Sequence, residues 1–335
     1  MRGVNVAKYT FDFDLTFACL ALSPEGRVFG RYGGRDARGA SHWTNEGSFM
    51  RMLQASLRKH RADQASPTAL EVPNPLTPER IPAFAKRDKG SCIHCHNVHE
   101  GLQHQARAEG AWKPADIWVY PPPERIGLDL DVTAQRLVVS VLPASPAASA
   151  GILAGDFLTR IGPHEVSNAT DVMAALHSLG SGPVTTQLAF QRGRQTIVGK
   201  LSLPATWKVG TPEQFAWRAL KWTLDPVPGF GGPALESAER KKHKLPEGQF
   251  AFKINYFVTW GPRAYSGRAA TRAGLRKGDI VLKVAGKADF QSVEHFHAWW
   301  RLTREVGEVV EIGLIRGRQR VRLDYPVAAP TGSGD

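Results

Sequence analysis

The sequence predicts an α+β protein built from several small units, on three observations. A strand–turn–strand–helix pattern opens the chain. Next comes a short segment with two cysteines three residues apart. The rest holds two copies of one β-rich module, each with a capping helix. The expected segments are 1–64 for the opening unit, 65–82 for a linker and 83–121 for the cysteine-bearing segment. The first module follows at 123–205, a connector with a helix at 206–244, the second module at 245–328 and a tail at 329–335.

Composition sets the limits. At 335 residues with 42% hydrophobic content, two or three domains with real cores are expected. The 43 basic residues exceed the 31 acidic ones, giving a net charge of +12. The positive residues are scattered, apart from Glu239-Arg240-Lys241-Lys242-His243-Lys244, which reads as a solvated stretch of the connector rather than a nucleic-acid surface. No apolar run reaches the length of a membrane span.

In the opening unit, Leu15 to Leu22 is a nearly continuous apolar run, as in a strand buried on both faces. Ser23-Pro24-Glu25-Gly26 is a turn, and Arg27 to Tyr32 returns as the partner strand. A helix is expected over 45–60, with Phe49, Met52, Leu53 and Leu57 on one face. Cys19, inside the apolar strand, reads as a packing residue. This order resembles the second half of a thioredoxin fold. Residues 65–82, rich in Pro, Ser, Ala and Thr, read as the linker.

The sharpest chemical signal is Ser91-Cys92-Ile93-His94-Cys95-His96, which contains two of the chain's three cysteines. C-x-x-C-H is the pattern for covalent attachment of haem c. Each thiol adds to one vinyl group, and the adjacent imidazole becomes the proximal iron ligand. On this reading Cys92 and Cys95 form the thioethers and His96 holds the iron. No residue stands out as the sixth ligand: His99 and His104 are close in sequence, and Met50 and Met52 lie upstream. Two other chemistries stay open: zinc held by Cys92, Cys95, His96 and His99, and a redox dithiol. A plain loop is the bland alternative. Trp112, Trp118 and Tyr120 then lead out of the segment, either onto a haem face or onto the next domain.

The repeat is explicit. Ala150-Gly151-Ile152-Leu153-Ala154-Gly155-Asp156 matches Ala273-Gly274-Leu275-Arg276-Lys277-Gly278-Asp279, and Arg192-Gly193-Arg194-Gln195 recurs as Arg316-Gly317-Arg318-Gln319. A helix is expected over 171–179 and again over 292–304, with Gly180 and Gly307 just past the ends. Each R-G-R-Q then turns a hairpin between the last two strands. His177, His295 and His297 read as surface or packing residues of these helices.

Each copy resembles a PDZ domain, with a partly open β-barrel and capping helix. The resemblance implies that an extended peptide or a protein C-terminus adds as a strand, its carboxylate captured by a glycine-containing loop. In the first copy Ile126, Gly127 and Leu128 match that loop, and 137–141 reads as a core-facing strand. In the second copy Phe250, Ala251 and Phe252 stand there, with Ala251 in place of the glycine. Rigid packing units are the alternative role for both copies. Between them, Thr211-Pro212-Glu213-Gln214 starts a helix with Phe215, Ala219 and Trp222 on one face.

The order of parts resembles bacterial thioredoxin-like/PDZ-domain proteins, some of which are selenoproteins. That resemblance implies an envelope location, periplasmic or otherwise extracytoplasmic, and a redox-linked role. It also implies a redox residue upstream of Met1, in keeping with an N-terminus that lacks an export signal. No catalytic residue is assigned. The expectation is a non-catalytic envelope protein coupling a haem c or redox segment to peptide binding, with an electron partner the residues do not name. One alternative is a tandem PDZ scaffold with a zinc-binding or idle C-x-x-C-H. The other is an HtrA-like protease remnant, which the absence of G-x-S-x-G disfavours.

Overall fold

The computed structural model describes residues 1–62, 75–85 and 91–329. Most of the expected linker (65–74), the flank 86–90 and most of the tail lie outside the described residues. The chain is mixed α+β, with several small antiparallel sheets and no closed barrel among the described residues. It divides into two compact units, Met1–Gly210 and Thr211–Asp335. No described helix is long and apolar enough to cross a membrane.

In the first unit, strands β1 (Cys19–Leu22) and β2 (Val28–Tyr32) form the opening hairpin, followed by helix α1 (Glu46–Ala62). The expected strand from Leu15 is shorter and only half-buried, and Phe17 is exposed. A two-stranded sheet has one packed face, so burial on both faces is not available to it. The helix packs inward through Met52 and Phe49 as expected, but its inward face is rotated away from Leu53 and Leu57. Ser48, Met52 and Ser56 are buried, whereas Leu53 and Leu57 are exposed. The reason is Gly30 on β2: a Cβ there would lie 2.3 Å from Ser56 Oγ and 2.7 Å from Met52 Sδ. Small helix residues let the backbones approach.

Helix α2 (Cys95–Ala108) carries the cysteine segment. The first module then runs through β3 (Leu128–Leu130), β4 (Val138–Val141), α3 (Pro146–Ser149), β5 (Phe157–Ile161), β6 (His164–Glu165) and α4 (Ala169–Ser178). It closes with β7 (Val184–Arg192) and β8 (Gln195–Leu203). β3 pairs with β4, and the second sheet is ordered β6-β5-β7-β8. Of the expected core strand 137–141, Val138 is buried but Val139 is exposed, the alternation of a sheet wetted on one side.

The second unit begins with α5 (Pro212–Phe215), capped by Thr211 as expected, but the helix stops there and a 3₁₀ turn follows at Ala219–Thr223. Trp222 is therefore exposed rather than on a continuous buried face. β9 (Phe230–Gly231) comes next, then α6 (Ser237–Lys242), β10 (Phe252–Lys253), β11 (Tyr256–Phe257), α7 (Ala264–Arg272) and β12 (Ile280–Val284). Helix α8 (Val293–Thr303) and strands β13 (Val309–Arg316) and β14 (Gln319–Pro326) complete the unit. The basic run 239–244 is not a solvated linker: it includes most of α6. Arg240 is buried there, donating to the carbonyls of Leu235, Pro246 and Gln249 at 2.9, 3.1 and 2.6 Å. A guanidinium that satisfies three carbonyls closes an otherwise irregular excursion.

Candidate functional site

Two regions carry chemistry. The first is the cysteine turn, which is packed rather than free. Ile93 and Val98 are buried in a cluster with Val6, Phe13, Ile81 and Phe84. The Met1 amino group donates to Ile93 O at 2.9 Å, and Arg2 donates to Ser91 O at 3.0 and 3.2 Å. Gly101 lets the rings in, since a Cβ there would lie 2.8 Å from Phe84. His94 caps α2, its backbone N–H bonded to Asn97 Oδ1 at 3.2 Å.

On this anchored turn Cys92 is exposed and Cys95 is half-buried, and no disulfide joins them. His94 and His96 are exposed and stacked, with ring centroids 5.8 Å apart. Cys92, Cys95 and His96 are the residues that a covalent haem would need. Cys92 and Cys95 would hold the porphyrin and His96 the iron, and the bound group would supply one-electron chemistry. The zinc quartet is not drawn together. His99 instead lies edge-on to Phe13 at 5.0 Å, its Nδ1 3.8 Å from Asp14 Oδ1. Among the described residues, the metal-type cluster with ligand atoms within 4.8 Å of one another is Asp12, Asp14 and His99. Asp12 and Asp14 gave no spacing signal, because their partner lies 85 positions away or more in sequence. Met52 is committed to the packing of α1 on β2.

The second region is the pair of glycine loops. Gly127 has φ +83° and precedes β3; its carbonyl accepts from Leu142 N–H at 2.8 Å. Gly229 has φ +79° and precedes β9; its carbonyl accepts from Val258 N–H, also at 2.8 Å. Leu128 pairs with Val141, and Phe230 with Phe257. Val138 N–H donates to Asp156 O just as Ile254 N–H donates to Asp279 O, at 2.8 and 2.9 Å. These bonds equate Gly229, not Ala251, with Gly127. Phe250, Ala251 and Phe252 are core residues, and Phe252 pairs with Val281 on the return strand. The second module therefore starts before residue 230 rather than at 245. The sequence signal was Val227-Pro228-Gly229-Phe230 beside Arg125-Ile126-Gly127-Leu128, at an offset of 102 (127 to 229) instead of 123 (156 to 279).

Both glycines are required by space as well as by backbone. A Cβ would lie 2.2 Å from Ser145 Cβ at Gly127 and 2.3 Å from the Ser266 backbone at Gly229. Seven residues before each glycine an aromatic packs against a histidine of the module's helix. Tyr120 stacks on His177 of α4 with centroids 4.3 Å apart, and Trp222 sits 5.0 Å from His297 of α8. Arg301 lies over the other indole contact, 4.8 Å from Trp222, and contacts His297 Nδ1 at 3.2 Å. Burial, then the nearby Arg263 charge, push the Arg301 guanidinium down to about 9. Burial, reinforced by the Arg301 charge, holds His297 well below its ordinary value, so its ring is neutral and accepts from Arg301.

No family model matches the chain, and no curated protein matches it. Among solved structures, a variant of the HtrA-type protease AlgW with a decapeptide is 16% identical. That match covers 45% of this chain and 44% of the other, with a TM-score of 0.27. A further structure of AlgW with a decapeptide is 14% identical over 52% and 54% of the two chains, with a TM-score of 0.25. The chain spans about half the length of these proteins. Similarity at that level carries no argument about function.

Proposed function

We propose that the chain is a non-catalytic peptide- or protein-binding protein with two PDZ-like modules. The observation that carries this reading is the matched pair of loops, Gly127 before β3 and Gly229 before β9. Each opens a strand that, among the described residues, is paired on one edge only, and in each module an aromatic from the chain entering that loop packs against a histidine of the helix. An unpaired strand edge beside a helix is the geometry of strand addition, in which backbone bonds give affinity and helix side chains give selectivity. The test is titration of the full chain with fluorescent peptides bearing free or amidated C-termini. Free-carboxylate peptides should bind, and amidation should weaken them.

A second element of the proposal is the turn at Cys92, Cys95 and His96, read as a haem c attachment site in an extracytoplasmic protein, its arrangement resembling thioredoxin-like/PDZ proteins. What favours it is the anchoring of this short turn, with His96 left exposed in the first turn of α2. A haem stain after export in a host with c-type maturation tests it.

A further inference from the structure

Residues 31–43 cross from α4 to the far end of β3. At one end Arg31 O accepts from Asn168 Nδ2, the cap of α4, at 2.7 Å; at the other Trp43 O accepts from Gln135 Nε2 at 2.7 Å. Trp43 is fully buried, in one cluster with Ile126 and Leu128 of the loop and strand and with Met173 of the helix. Gly34 permits the crossing, since a Cβ there would lie 2.7 Å from Met173 Cε and 3.2 Å from Trp43. A small, partly open cavity of about 20 Å³ lies there, lined by Gly33, Gly34, Tyr120, Thr170 and Met173 among others.

The polar contacts are equally specific. Trp43 Nε1 donates to Asp36 Oδ2 at 2.8 Å, and the Arg38 guanidinium lies 5.0 Å over the indole. Arg38 also pairs with Glu124 and, at 3.3 Å, with Asp129, the carboxylates on either side of Gly127. At the equivalent positions of the second module stand Pro226 and Gly231, so this acidic pair belongs to the first groove alone.

We propose that residues 31–43 close the first groove in cis. The partner it fits is then an extended segment carrying a large aromatic side chain and a cationic one, which displaces Trp43 and Arg38. This rests on the reading of the groove as a peptide site. Charge complementarity sets the preference: a basic-aromatic segment satisfies Glu124 and Asp129, whereas an acidic one meets like charges there.

The test uses the full chain and, as probe, a fluorescein-labelled peptide of residues 35–44, read by anisotropy. The variants are Trp43→Ala and Arg38→Glu, each checked for folding by its unfolding transition. Arg38→Glu carries the test if the buried Trp43→Ala substitution fails to fold. Wild type should bind the peptide at least ten-fold more weakly than either opened variant, and a peptide with alanine in place of tryptophan should lose the gain. Folded variants that bind no better than wild type would overturn closure. A panel of free-carboxylate peptides separates this from the wider reading. Binding of the 35–44 peptide without binding of any panel member keeps the strap and sinks peptide recruitment. Panel binding to wild type that Gly127→Val abolishes and Trp43→Ala leaves unchanged keeps recruitment and sinks the strap.

Discussion

Arg192 grips Asp156 with two parallel hydrogen bonds, Nε to Oδ1 and Nη2 to Oδ2, both 2.8 Å. Nη2 also donates to Gly151 O at 2.8 Å. In the second unit Arg316 repeats this on Asp279 at 2.9 and 2.7 Å, with Gly274 O at 2.7 Å. The two repeated motifs, A-G-x-x-x-G-D and R-G-R-Q, thus recur together because each supplies half of one clamp. A forked guanidinium on a carboxylate fixes both distance and plane.

The clamp predicts an acid-sensitive contribution in the first unit. Burial alone would raise the Asp156 carboxyl, but the Arg192 hydrogen bonds and Leu153 N–H outweigh it and hold it below its ordinary value of 3.8. A lowered folded-state value stabilises above the unfolded value and is lost as pH falls through the folded one. Arg192 is partly exposed, which screens the pair, so Asp156→Asn should cost about 1–3 kcal/mol at pH 7. That difference should shrink below pH 3.8 in urea unfolding.

The loop assignment predicts opposite outcomes at two neighbouring sites. Gly229→Val should destabilise the second unit and abolish its peptide binding, because the new side chain meets the Ser266 backbone at positive φ. Ala251→Gly should leave binding unchanged. Peptide titration of both variants decides it.

The second unit should lose stability on mild acidification. His297 binds a proton in the unfolded state near 6.5 but resists one when buried beside Arg301, so the unfolded state takes up more protons below that pH. Tryptophan-monitored unfolding should show stability falling from pH 7 to pH 5, with a shallower slope in His297→Gln. His295, also lowered by burial, adds in the same direction, so the slope should not vanish.

For the cysteine turn, the exported chain should carry covalent haem that survives a denaturing gel. Cys92→Ala/Cys95→Ala should remove it without shifting the unfolding transition of the second unit. Retention of the haem in the double variant would refute the attachment site.

Elements with local signals were legible in the sequence. The helices at 169–178 and 293–303, the hairpins at both R-G-R-Q turns and the short opening hairpin follow from caps, periodicity and turn residues. What escaped depends on distant neighbours. The inward face of α1 is set by Gly30, and the crossing of Trp43 over the groove needs Met173 and Asn168, more than a hundred residues away. The second glycine loop escaped for another reason: the inserted α6 and the longer α7 move Gly229 out of the constant offset between the copies.

That insertion, α6 with the turn behind it, has a consequence for how the two modules can diverge. It sits where β9 hands over to β10, between strands whose bonds to Asp279 and Val258 are kept. The entropy of closing a longer loop rises only with the logarithm of its length, and Arg240 ties the extra chain to itself. Length, charge and shape are therefore free to vary at this connection while β9 and the Arg316–Asp279 clamp stay in register. The corresponding turn of the first module has no such freedom, because Asn45 and Arg51 are bonded to its carbonyls.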